Sequence, residues 1–106
     1  MTASARAEVL NNLEEAAKQL NRLETLLEQG DSIGILHTLI EVRRPCQQAT
    51  IALLAGCLQR ALAGAQSDDP AQREGCLENL VRLAAFAQSR LCEDCRGRLS
   101  AALKKV

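Results

Sequence analysis

Few residues in this chain of 106 can do chemistry: five cysteines, one histidine and an adjacent pair of arginines. Thiolates are preferred donors for soft metal ions such as Cu(I), and they are also the groups that react with oxidants and electrophiles. Cys92-Glu93-Asp94-Cys95 is a CxxC. On a helix its sulfurs fall at i and i+3, on one face, where they can share an ion or oxidise together. Cys46 and Cys57 also share a face, because their spacing makes three turns plus about 20°. They stand roughly 16 Å apart along that helix, so a single ion joins them only across a subunit boundary. The simplest account of both, and of Cys76, is as small packing residues. His37 lies between Ile33 and Ile40 at i−4 and i+3, where a histidine is packed more often than it is a ligand. Arg43-Arg44 offers two cations that can meet phosphates, or a solvated pair. No nucleophile beside a base, no carboxylate pair and no phosphate-cradling glycine loop occurs, so the chain is not expected to be an enzyme.

The elements that must position these residues are all helical. Ala, Leu, Glu, Gln and Arg dominate, and these are strong helix formers. No segment alternates in the manner of a strand. A first helix is expected to about Gln29, with Thr2 or Ser4 as cap. Leu10, Leu13, Ala17, Leu20, Leu23 and Leu27 form its apolar stripe. Gly30 ends it by taking the left-handed conformation, and Asp31 or Ser32 caps the next helix. The second helix, from about Ser32 to Ala63, carries apolar residues too widely to be covered by one partner helix. Pro45 should kink it near Glu41–Arg44, or divide it into two shorter helices. Gly64 to Asp69 is a loop. Asp69-Pro70 opens a third helix to about Ser89, with Leu77, Leu80, Val81, Ala84 and Ala87 inward. The remainder either continues it or breaks near Gln88–Arg90 into a fourth helix to about Lys104. The basic tail, Arg96, Arg98, Lys104 and Lys105, suits a helix C-terminus.

Composition narrows the function classes. One domain fits this length, and a chain so short buries a limited core, so self-association is a natural way to enlarge it. Its 13 basic and 13 acidic residues cancel, so no global field favours nucleic acid or membrane. A single Phe, with no Trp or Tyr, argues against base-stacking modules. Absence of a 20-residue apolar run or a signal-like N-terminus, with an odd cysteine count, points to a cytoplasmic protein with no membrane partner.

Leu23–Gly30 reads L-E-x-L-L-E-x-G, and Ile35–Arg43 reads I-L-x-x-L-x-x-V-R. Asn11-Asn12-Leu13 with Gln19 precede them, and Cys76–Leu83 with Phe86 follow. In order and spacing this resembles the copper-sensing operon repressor family, small all-helical regulators of metal and formaldehyde resistance. The resemblance covers roughly residues 8–87, leaving 88–106 as a C-terminal helical extension. It implies a three-helix protomer assembled as an antiparallel bundle dimer or tetramer, with operator DNA and a soft metal, Cu(I) above all, as partners. With Val42-Arg43 as the fixed point, the family's three ligand positions fall on Ser32, Cys57 and Ala61, of which only Cys57 is a soft donor. A rearranged set drawn from Cys92, Cys95, Cys57 and Cys46 would be needed. The family's first helix is basic, whereas residues 1–30 here hold three basic and five acidic residues, a net −2. A DNA surface would therefore shift toward Arg43, Arg44 and the basic tail. The expected function is a repressor-like regulator responsive to a soft metal or a thiol-reactive species. The alternative is a relative that binds no DNA and serves as a cysteine-based metal-binding or protein-interaction scaffold.

Overall fold

The structure, a computed structural model, describes residues 3–104. These form four α-helices: α1 (Ala3–Gln29), α2 (Ser32–Ala65), α3 (Pro70–Arg90) and α4 (Glu93–Lys104). The chain is all-α, as its composition requires, and no strand occurs among the described residues. Ser4 lies inside α1 rather than capping it, and Thr2 and Lys105 fall outside the described residues.

The punctuation works through local hydrogen bonds. Gly30 has φ +67°, the left-handed region that glycine enters at little cost. Its N–H donates to Leu27 O, and Asp31 N–H donates to Leu26 O at 3.1 Å, so orphan carbonyls at the end of α1 are met. Asp31 Oδ1 then accepts from Gly34 N at 2.9 Å and opens α2. At the next turn Asp69 Oδ1 accepts from Ala71 N, and Pro70 takes the first helical position. The alternative of two shorter helices at Pro45 does not occur: α2 runs unbroken for 34 residues, one long helix through the proline. Its proline is buried on the side that faces α1.

α2 is the spine, and each of the other helices packs on it. α1 lies antiparallel along it. Ala5 and Asn12 share a hollow with Ala52 and Gly56, and Asn12 and Gln19 share the next with Pro45 and Ile40. The contacting residues of α1 are Ala5, Val9, Asn12, Ala16, Gln19, Leu23 and Leu26, all buried or half-buried. They recur at alternating spacings of four and three. Opposite them run Thr38, Val42, Pro45, Ala49, Ala52 and Gly56. Both seams have the coiled-coil period, and the α2 seam consists largely of small residues, which let the two backbones approach closely.

This corrects the expected inward stripe. Of its six members only Leu23 faces α2; Leu10, Leu13 and Leu20 are each 48% exposed. The small seam has taken the contact, and the leucines are turned to its flank. Leu39, Cys46, Leu53 and Cys57 are turned from the α2 seam by roughly 100° in the same sense. Since the helices are antiparallel, equal turns bring both sets to one side of the hairpin.

The opposite side of α2 holds the main core. Ile51, Leu54, Ala55 and Leu58 meet Ala87 of α3 and Cys95 and Leu99 of α4, with Leu80, Leu83, Leu91, Ala102 and Leu103 closing around them. On α3 the inward residues are therefore Cys76, Leu80, Leu83 and Ala87, whereas Leu77, Val81 and Ala84 are exposed. The spacing four, three, four fits one narrow face, which the expected set straddled. The core clusters on the second half of α2. Ile33, Leu36 and Ile40 in its first half remain 56% to 67% exposed.

Candidate functional site

The break between α3 and α4 builds the site. Leu91 is extended, and its N–H still bonds Ala87 O. Cys92 follows at the cap position of α4, whose ladder begins with Arg96 N–H on Cys92 O at 2.9 Å. Cys92 Sγ accepts the N–H of Cys95 at 3.4 Å. A thiol thus stands where Ser, Thr, Asp or Asn usually accept from the third helical residue. The helix turns back at this point because Cys95 and Leu99, four apart, both bury against α2.

The two thiols are unequal. Cys92 is exposed and Cys95 is buried. The Cys95 N–H and then the Cys95 side chain stabilise negative charge on Cys92, and together they lower its pKa below the ordinary thiol value. The Cys95 thiol is pushed up, first by its bond to Cys92, then by burial and the nearby negative charges. An exposed sulfur inclined to ionise beside a buried protonated one is suited to nucleophilic attack, with the buried thiol as the resolving group.

The remaining cysteines lie elsewhere. Cys46 is exposed, so it is not the buried packing residue expected. Cys57 and Cys76 are each partly buried and line one groove between α2 and α3 with Arg60 and Arg82. Cys76 fills the space above Gly64, where a Cβ would meet its Sγ. Spacing alone does not reveal that Cys57 and Cys76 share a groove, because it depends on where α3 docks. Ser32 is exposed at the start of α2 and Ala61 is buried in its second half, so the family's three positions hold one thiol between them. Among the described residues no three His, Cys, Asp or Glu side chains converge as a metal cluster. A three-ligand site in one chain therefore does not fit, while the adjacent Cys92 and Cys95 fit a two-thiolate soft ion. His37 is exposed.

Arg43 and Arg44 are exposed and belong to a groove of ≈450 Å³ with Ile40, Gln47, Gln48 and Arg98. Arg98 comes from α4, so the docking of that helix brings part of the basic tail beside the arginine pair. Sequence spacing suggested both parts but not their meeting. The sign that could have shown part of it is the Cys95, Leu99, Leu103 period, which gives α4 an apolar face to bury. Glu14 and Glu15 remain exposed on α1.

No protein-family model, no curated protein and no solved structure matches this chain. No helix among the described residues is long and apolar enough to cross a membrane.

Proposed function

We propose that the protein is a self-associating regulator of the copper-sensing repressor type, set by thiol chemistry at Cys92–Cys95. The observation that carries this reading is the polarised pair itself: an exposed sulfur held by the first turn of α4, with a buried thiol against it. A soft ion such as Cu(I) would be held by these two sulfurs, and its binding would displace their protons. A thiol-reactive species would meet Cys92 first, because the thiolate is the nucleophile. Both routes act on the cap of α4. Operator DNA is the output, met through Arg43 and Arg44.

Self-association is supported by surface area. The chain exposes 7626 Å², whereas a compact monomer of 11.5 kDa exposes about 5800 Å². Its radius of gyration is 17.5 Å, against about 13 Å for a compact domain of this length. A standard interface covers about 800 Å² per partner, so the excess is enough for two faces. The hairpin side, with Leu10, Leu13, Leu20, Leu39 and Leu53, supplies one. The bare start of α2, with Ile33 and Leu36, supplies the other. A homodimer doubled into a homotetramer uses both.

The test is a Cu(I) competition titration against a chromophoric chelator, on wild type, Cys57→Ser, and the Cys92→Ser/Cys95→Ser double variant. Stoichiometric binding should vanish in the double variant and persist in Cys57→Ser. Loss in Cys57→Ser alone would return the site to the family's position. A second reading, a scaffold that binds no DNA, is favoured by exposed Glu14 and Glu15 on the helix where the family is basic. A gel shift on the DNA upstream of its own gene, negative at low salt, would select it.

A further inference from the structure

We infer that Arg43, Arg44 and Arg98, with the amides of Gln47 and Gln48, form a phosphate-binding groove for the backbone of duplex DNA. The inference rests on the DNA-binding reading above and adds a residue from a helix outside the resemblance. Three guanidiniums from two helices line one shallow groove, and no carboxylate lines it with them. Guanidinium is a fork of donors matched to phosphate oxygens, and amide side chains add neutral donors beside it. Arg98 is partly held in place: its Nε bonds Asp94 Oδ2 at 3.1 Å, one turn back on α4. That pair uses one of five N–H donors and leaves the Nη groups for a ligand. Its side chains are 50% and 72% exposed, so Asp94 orients Arg98 more than it neutralises it.

Acidic residues border the groove. Glu15 and Glu41 line the adjoining hollow with Arg44, on the α1 side. Glu8 lines a hollow with Arg98 near the start of α1. Glu93 and Asp94 line a third hollow with Arg98 on α4, so the groove is a local cluster of cations bordered by carboxylates. This fits a zero net charge, since a local cluster of three cations needs no global field. The groove also draws one of its three arginines from α4, the helix whose cap is Cys92. Cys92 caps that 12-residue helix, and Arg98 lies on its second turn.

The experiment uses the full chain and two probes: a fluorescent 30-base-pair duplex and inorganic tripolyphosphate. Arg98→Gln should weaken duplex binding about three- to tenfold at every sequence and lower the magnitude of the salt slope by about 1. Arg43→Gln and Arg44→Gln should do the same. Arg82→Gln, on the other groove, should leave binding unchanged. Duplex binding that depends on Arg43 and Arg44 but ignores Arg98 overturns the three-arginine groove and leaves the DNA reading intact. Tripolyphosphate binding that requires all three arginines, with no duplex binding, keeps the phosphate groove and overturns DNA as its occupant. Neither probe binding overturns both.

Discussion

Leu13→Glu should convert the oligomer to smaller species without unfolding the protomer. Leu13 is 48% exposed at the centre of the leucine side of the hairpin, so a glutamate there keeps its charge in water as long as the chain is alone. Full burial of a leucine is worth about 1.5–3 kcal/mol, so the open half of Leu13 is worth about 1 kcal/mol per copy when a second chain covers it. A twofold dimer contains two copies, and the loss is about 2 kcal/mol. Desolvating the new carboxylates adds to this, because an unpaired buried charge costs several kcal/mol or is neutralised. A total of at least about 3 kcal/mol raises the dissociation constant by more than about 100-fold. Sedimentation equilibrium at micromolar concentration reads this directly. Asn11→Glu is the control: it adds the same charge to the same helix, turned away from the leucine side. Circular dichroism should show equal helix content in all three proteins. A wild type that sediments as a monomer refutes the reasoning, as does Leu13→Glu keeping the wild-type mass.

Four further outcomes follow from the geometry. Cys92 should be the first cysteine alkylated by iodoacetamide, with a rate midpoint below the ordinary thiol value, because its folded pKa is lowered. That shift stabilises the fold above the unfolded thiol pKa, and the stabilisation is lost as pH falls through the folded value; the raised Cys95 works in the opposite direction. Cys95→Ala removes the thiol donor but not the N–H, so it should move the Cys92 midpoint only part of the way back; no movement would mean that the Cys95 thiol does not act on Cys92. Gly64→Ala should cost about 1–3 kcal/mol in urea unfolding, since its Cβ meets Cys76, and Cys76→Ala should restore part of that loss. Leu99→Ala should cost about 2–5 kcal/mol, because Leu99 is one of only two buried residues on α4; an unchanged urea midpoint would show that α4 is not docked.

Helix boundaries were largely legible in the residues. Gly30, Asp31, Asp69 and Pro70 act through bonds to their own neighbours, so the sequence contains the whole cause. Which face of each helix turns inward was much less legible. On α1, leucine periodicity points to one stripe and the structure uses another, because small buried residues such as Ala16 on α1 and Ala49 on α2 allow a closer approach than leucines do. Hydrophobic size ranks candidates for burial, but it does not rank the distance at which two helices pack. The polar members of that seam confirm that size did not decide it. Asn12 turns its Nδ2 back to Glu8 O, and Gln19 Oε1 is buried without a partner. Pro45 allowed either one long helix or two short ones, and the structure takes the first. A proline inside a helix forgoes one ladder bond, but packing of α2 along its length keeps the helix continuous.

The site followed the same division. CxxC marks Cys92 and Cys95 as neighbours wherever they lie in a helix, and that much is local. Their inequality is not local. It requires the helix to begin at Glu93, so that Cys92 becomes the cap, and it requires Leu99 to bury, so that Cys95 is drawn in with it. Had α3 continued straight through residue 92, both thiols would lie mid-helix, with no free N–H aimed at either sulfur. Arg98 would then project beyond the bundle, away from Arg43 and Arg44. One break in the chain therefore creates both the polarised thiol pair and the three-arginine groove. A perturbation of the cap of α4 acts at one end of a helix whose second turn carries Arg98. On the proposed reading, that shared helix is the path by which thiol chemistry would alter phosphate binding.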